Sequence, residues 1–260
     1  MIYQSKTLSL FDFRPYLRMS HNAVIKLKDV VVFQPDDEGG KLSYKHAQKV
    51  LSDVNLTIEE GELVYFIGKV GSGKSSLLKT LYAELPLMEG VAEVAGFDLA
   101  SLRRRDVPML RRSVGVVFQD YRLLRDRNVY ENLRFVLRAT GWKNEVEIAA
   151  RIEELLGIVG LQNKEYKMPH ELSGGEQQRL VIARALANSP KIILADEPTG
   201  NLDPKSADDI MRLFREIVGR GCSVVMATHN IQLIGAYPSR TLMFRKGRVE
   251  EVDLNSLLGR

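Results

Sequence analysis

Short apolar runs bounded by turn residues recur along the chain, and their lengths sort them into strands and helices. Leu63-Val64-Tyr65-Phe66-Ile67, Val114 to Phe118, Ile192-Ile193-Leu194-Ala195 and Cys222 to Ala227 read as buried strands. Val24 to Phe33 alternates enough to be a strand, and the polar turn Asp36-Asp37-Glu38-Gly39-Gly40 separates it from a second, Val50 to Ile58. Gly90 to Gly96 reads as a short strand and turn, and Thr241 to Val249 as a hairpin around Lys246-Gly247. Helical spacing appears in Ser76 to Glu84, with Leu77, Leu78 and Leu81 on one face, and in Val146 to Val159, through Ile148, Ile152, Leu155, Leu156 and Val159. Helices are also read at Val129 to Ala139 and Gln177 to Ala187, and Pro204 suits the first turn of another. Three successive helices with no strand between them predict a helical subdomain, about residues 120–188, inserted into an α/β core.

Polar residues with chemical potential cluster where the buried strands stop. Gly68-Lys69-Val70-Gly71-Ser72-Gly73-Lys74-Ser75 lies between an apolar strand and a helix, which is the context a phosphate-binding loop requires. Its glycines let consecutive N–H groups surround a phosphate at a helix N-terminus, Lys74 adds a point charge, and the Ser75 hydroxyl can ligate Mg²⁺. Ser76 continues the loop into the helix. Gln119, Asp196-Glu197 and His229 end three other strands, and in an open α/β sheet that edge is where ligands bind. Asp196 can hold Mg²⁺ with Ser75, Glu197 can orient or deprotonate an attacking water, His229 can position that water at a γ-phosphate, and Gln119 can reach either through its amide oxygen. Phe33 and Tyr44 are the candidates for stacking on an adenine ring.

A second anion site is legible at Leu172-Ser173-Gly174-Gly175-Glu176-Gln177-Gln178-Arg179, where Ser173 can cap a helix and two glycines bare its first amides. Two phosphate sites in one chain imply that two copies share each nucleotide. Composition narrows the classes. The chain has 260 residues, 45% of them apolar and 27% charged, with a formal charge of +4. That charge is too small to argue for nucleic acid, and the arginines at 103–105, 111 and 112 lack interleaved aromatics, so they read as a solvated face. The single cysteine, Cys222, excludes an intrachain disulfide and reads as packing. No apolar run approaches the ~18 residues of a membrane span.

These motifs together resemble the ATP-binding cassette (ABC) ATPases over nearly all of the chain after about residue 24. The matching stretches are the Walker A loop at Gly68 to Ser75, the Q-loop at Gln119, the signature at Leu172 to Gln178, Walker B at Ile192 to Asp196, the catalytic Glu197, the D-loop through Asp203 and the switch histidine His229. The resemblance implies a P-loop NTPase (RecA-like) core carrying an antiparallel β subdomain and the inserted α-helical subdomain. It also implies ATP and Mg²⁺ as ligands and a head-to-tail homodimer, with ATP between Walker A of one copy and Ser173, Gly174, Gly175 and Glu176 of the other. A narrower likeness lies in Val117 to Leu124 and Asp126 to Asn132, which is similar to the FtsE-type cell-division ATPases; the LolD and MacB types share the Leu-Leu and Glu-Asn positions but typically lack the Asp-Arg and Val-Tyr pairs. That likeness implies a peripheral protein on the cytoplasmic face of the bacterial inner membrane with an FtsX-like membrane partner.

Lipoprotein release or efflux with a LolD- or MacB-type permease is the nearest alternative, since it uses the same catalytic residues. A soluble ABC protein acting on DNA or the ribosome lacks support, because there is neither a long coiled coil between Walker A and the signature nor a second cassette. Intact Lys74, Asp196, Glu197 and His229 argue against a non-catalytic switch. Residues 1–23 fall outside the pattern and read as an N-terminal extension, with Met19 an alternative start, leaving 24–260 as the ATP-binding domain.

Overall fold

The computed structural model describes residues 23–38 and 41–253, with residues 36–38 and 41–46 described at the backbone level. The expectations for residues 1–22, for Gly39-Gly40 and for the side chain of Tyr44 lie outside the described residues. Strands β1 (Ala23–Glu38) and β2 (Lys41–Glu59) form one long antiparallel hairpin. The polar segment read as a turn is therefore mostly strand: Asp36, Asp37 and Glu38 pair with Ser43, Leu42 and Lys41. Alternating hydrophobicity could not reveal this, because Asp36, Asp37 and Glu38 are consecutive charged residues with no apolar member to set a period. With β4 (Glu89–Val94) and the short β5 (Phe97–Asp98) the hairpin makes an antiparallel sheet in the order β2-β1-β4-β5.

The second sheet runs β10-β9-β3-β8-β7-β6, from β3 (Leu63–Gly68), β6 (Val114–Val117), β7 (Ile192–Asp196), β8 (Ser223–Ala227), β9 (Arg240–Arg245) and β10 (Arg248–Glu251). All its pairings are parallel except the β9–β10 hairpin. Parallel strands covered on both faces explain the continuous apolar runs in the sequence. Successive side chains leave a strand on opposite sides, so β3 sends Leu63, Tyr65 and Ile67 into one core and Val64 and Phe66 into another. β7 divides Ile193 and Ala195 from Ile192 and Leu194, and β8 divides Val224 and Met226 from Val225 and Ala227. The sheet is the wall between two cores. Each fully buried aromatic in it, such as Phe66, contributes about 2–3 kcal/mol by leaving water.

One core is closed by helix α1 (Lys74–Leu81), helix α2 (Val107–Ser113) and the antiparallel sheet. The other joins the sheet to α3 (Val129–Ala139), α4 (Glu145–Val159), a 3₁₀ turn (Pro169–Glu171), α5 (Gly174–Ala185) and α6 (Pro204–Gly219). The apolar face expected for α4 is buried as read. Polar side chains punctuate this half: Asn128, Asn144, Ser173 and Asp203 each accept from first-turn amides of α3, α4, α5 and α6. Helix α7 (Ile231–Ala236) is too short to show a period in sequence. Gly115 on β6 lets α5 approach at backbone distance, since a Cβ there would stand 2.7 Å from the Ala185 carbonyl oxygen.

Arg103, Arg104, Arg105 and Arg111 are exposed, as read, and the Arg111 guanidinium also donates to the carbonyls of Tyr82 and Ala83, which follow α1. Cys222 lies one residue before β8 and is half-buried, with burial pushing its thiol up to about 12.

Asn132, 1% exposed on α3, clamps the segment entering that helix. Its side chain accepts from the Leu124 N–H at 2.9 Å and donates to the carbonyls of Leu124, Arg127 and Asn128 at 2.9–3.0 Å. Replacing it by Ala removes the side-chain partner of the Leu124 N–H and of the Arg127 carbonyl, while the Leu124 and Asn128 carbonyls keep backbone bonds from the Arg127 and Asn132 N–H groups. We expect Asn132→Ala to cost roughly 2–4 kcal/mol, read as a fall in the urea midpoint at unchanged denaturant slope; a shift below about 0.5 kcal/mol would show the clamp to be energetically idle.

Candidate active site

The chain leaves β3 at Gly68 and enters α1 after Gly73, and both glycines are enforced by space. A Cβ on Gly68 would lie 2.5 Å from the Phe244 carbonyl oxygen, and one on Gly73 2.9 Å from side-chain carbons of Leu51 and Val50. Gly73 also has φ +99°, a left-handed conformation that side chains resist. No side chain caps α1, so its first amides face outward without an intrahelical partner. The Ser72 hydroxyl is buried with no hydrogen-bond partner. An uncapped helix start and an orphaned hydroxyl donor are what an anion would complete, so the loop fits a phosphate.

Lys74 is 7% exposed, and its ammonium folds back onto the loop, donating to the carbonyls of Gly68 at 2.8 Å and Lys69 at 3.1 Å. Gly68 and Lys69 thus hold the lysine through their backbones rather than lining the cleft. Burial lowers the Lys74 pKa, against the opposing pull of Glu197 and then Asp196.

A cleft of about 650 Å³ gathers Val70 to Ser76, Gln119, Asp196, Glu197 and His229. The parallel sheet does this by placing β3, β6, β7 and β8 side by side with their C-terminal ends at one edge. Backbone bonds fix the relative heights. Glu197 N–H donates to Ala227 O at 2.9 Å, and Thr228 N–H to Phe66 O at 3.0 Å. Glu197 turns out of β7 in a left-handed conformation, φ 48°, and its carboxylate lies 2.9 Å from His229 Nδ1. The carboxylate is shielded and the imidazole open, at 15% and 68% side-chain exposure. Ser75, Asp196 and Gln119 offer only oxygen donors from hydroxyl, carboxylate and amide, a set suited to a hard cation such as Mg²⁺. No group of three His, Cys, Asp or Glu among the described residues forms a metal cage of its own.

The signature lies elsewhere. Ser173 caps α5 and forms a capping box with Glu176, whose carboxylate accepts from Ser173 N–H at 2.8 Å and pairs with Lys164. The Lys164 ammonium, then that backbone bond, holds the Glu176 carboxyl below its usual range. Gly174 and Gly175 open the helix, three residues earlier than the Gln177 start read from sequence, and neither they nor Ser173 line the cleft. Asp203 caps α6, accepting from the amides of Lys205 and Ser206 and from the Ser206 hydroxyl. Phe33 is half-buried, and on its strand the cleft is lined by the next two residues, Gln34 and Pro35. Those two, together with Lys79, Glu84 and Leu85, are lining residues that no motif spacing marks.

A family model described as ABC transporter matches residues 51–200. The chain belongs to the ABC transporter family. As an ABC ATPase it binds ATP and hydrolyses it to ADP and phosphate. The cell division ATP-binding protein FtsE of Streptococcus pneumoniae is 43% identical over 227 residues, covering 87% of this chain and 94% of that protein. Among solved structures, cbiO1 of Clostridium perfringens, part of an ABC transporter complex, superposes with a TM-score of 0.79 at 27% identity, covering 92% of this chain and 91% of its own. The ATP-binding cassette MJ0796, a dimer bound to ADP and phosphate in a post-hydrolysis state, gives 0.75 at 33% identity over 88% of this chain and 98% of its own.

The shift at Lys74 sets a pH dependence for ATP binding by this ABC ATPase. The charged ammonium is the form that attracts phosphate, and it is lost as pH rises through a pKa below the ordinary 10.5. The affinity for an ATP analogue should therefore weaken on raising the pH from 7.5 toward 10, earlier than an unperturbed lysine allows. Titrations of Lys74→Ala should be weaker throughout and flat over the same range; a wild-type affinity constant up to pH 10 would contradict the assignment.

Proposed function

We propose that this ABC ATPase works as an FtsE-type cell-division ATPase: two copies close head to tail on two ATP molecules and pass that motion to an FtsX-like membrane partner at the cytoplasmic face of the bacterial inner membrane. The observation that carries the dimer is the separation within one chain. The cleft holds the loop, Lys74, Asp196, Glu197 and His229, while the helix start at Ser173-Gly174-Gly175 opens outside it. A second copy supplies the missing amides. The division assignment rests on likeness to FtsE over 87% of the chain, and the Asn132 clamp shows why the segment from Leu123 to Asn132 is built as a unit.

Within the cleft, the amides of Gly71 to Ser76 and the Lys74 ammonium cradle the β- and γ-phosphates, and to do so Lys74 exchanges two carbonyl partners for phosphate oxygens. Ser75, Asp196 and Gln119 would hold Mg²⁺, which supplies charge neutralisation at the phosphates when bound. Glu197 orients the attacking water and takes its proton, and His229, 2.9 Å away, fixes that carboxylate's direction. Asp203, at the start of α6, stands on the surface facing the second copy. Phe33 stays the candidate for the adenine face.

Among the described residues no helix is long and apolar enough to cross a membrane, so attachment runs through the partner. Glu197→Gln should bind ATP as the wild type does, lose at least about 100-fold in turnover, and run as a dimer with ATP and Mg²⁺ in light scattering. Hydrolysis at the wild-type rate would remove Glu197 from the role of base. Pulled down with ATP from detergent-solubilised membranes, the same variant should bring an FtsX-like permease; a MacB- or LolD-type permease would move the protein to export or lipoprotein release with the same ATP chemistry.

A further inference from the structure

Gln119 reaches the cleft from a short strap, residues 119–122, that leaves β6 in an unfavourable conformation. Tyr121 and Arg122 are consecutive non-glycine residues with φ of 51° and 48°. Left-handed geometry at two side-chain-bearing residues in a row does not persist unless its surroundings impose it. What imposes it here is mostly one helix. At the far end of α5, the Arg184 guanidinium donates from one nitrogen to the Tyr121 carbonyl at 2.8 Å and from the other to the Arg122 carbonyl. At the near end, a Cβ on Gly174 would sit 3.3 Å from the Tyr121 hydroxyl. The loop after β7 adds a bond from the Asn201 amide to the Gln119 carbonyl at 3.3 Å.

The geometry points to Arg184 as a positioning residue for hydrolysis, which fixes the two carbonyls of the Tyr121–Arg122 pair and thereby the place of Gln119 in the cleft. It touches no nucleotide itself. Its planar fork presents two N–H donors in one fixed plane to the two neighbouring carbonyls, a preset geometry that the shorter, freely rotating ammonium of a lysine lacks. The Arg122 side chain does not substitute for it, being engaged over the Phe118 ring at 4.1 Å and with Asp120 at 3.1 Å. Because α5 begins at Gly174 and carries Arg184 in its last turn, the helix that presents the signature also carries the clamp on the strap. The strap follows the signature helix rather than the sheet. The assignment deepens the proposed function, since it rests on Gln119 acting in turnover.

The test uses the full chain with Arg184→Lys, which keeps the charge and loses the fork. In the nucleotide-free protein, hydrogen exchange of a peptide covering 119–124 should accelerate about tenfold while peptides from α3 and from the first two turns of α5 keep their protection. Unchanged exchange in 119–124, or equal acceleration in α5, overturns the clamp. In steady-state ATPase assays, Arg184→Lys should lower kcat about tenfold with KM for ATP within about twofold. Combined with Gln119→Ala it should lower kcat no further than Gln119→Ala alone, because both act through one group. Additive losses would show that Arg184 merely supports folding. Turnover indifferent to Glu197→Gln would instead strike the hydrolytic reading, leaving the exchange result to judge the clamp by itself.

Discussion

The cleft depends on one steric constraint, the exclusion of any side chain where the chain turns from β3 into α1. Backbone and side-chain atoms of neighbouring strands occupy the space a Cβ would need at Gly68 and Gly73. Those neighbours are β9, through Phe244, and β2, through Leu51 and Val50. The loop is therefore pressed into shape by both sheets at once, and the antiparallel hairpin contributes to the nucleotide site although it carries none of the catalytic groups. Amides aimed by such a frame cost no reorganisation when an anion arrives.

Electrostatics in the cleft follow from that frame. Lys74 is buried near two acids, and it spends two of its three N–H donors on loop carbonyls. The Ser72 hydroxyl has nothing. Burial of the ammonium lowers the Lys74 pKa, and Glu197 and Asp196 pull it back toward the charged form. The Glu197 carboxylate lies against the His229 imidazole, so the residues that follow β7 and β8 are tied to each other at the edge of the cleft.

Much of this was legible in the sequence for a physical reason. Buried parallel strands read as continuous apolar runs, and a polar residue at the end of such a run comes out at the C-terminal edge of the sheet, where one cleft gathers Gln119, Asp196, Glu197 and His229. The Ser173 cap and Pro204 in the first turn of α6 likewise mark helix starts through local chemistry. What stayed hidden was long-range or aperiodic. Arg184 and Asn201 act on backbone carbonyls some sixty and eighty residues away, and Arg111 closes the end of a helix that precedes it by nearly thirty. A side chain bound to a carbonyl reads no partner identity, so no residue pairing in the sequence signals it. The arm at Asp36 to Glu38 failed for the opposite reason, since an acidic run beside two glycines looks like a turn even where its backbone pairs as strand.

Gly115 has a mechanical consequence. Where β6 meets the end of α5, main chain rests on main chain, with Gly115 under the Ala185 carbonyl and no side chain between them to deform. Such a contact resists sliding but allows rotation, as a bearing does. Gly174 stands 11 residues before Ala185 on α5, so about 16 Å separates that bearing from the helix start. A turn of a few degrees about it would swing Gly174 through roughly an ångström, and because Leu180, Val181, Ile182 and Ala183 are buried in one core with β3, β7 and β8, the packing between helix and sheet has to yield with it.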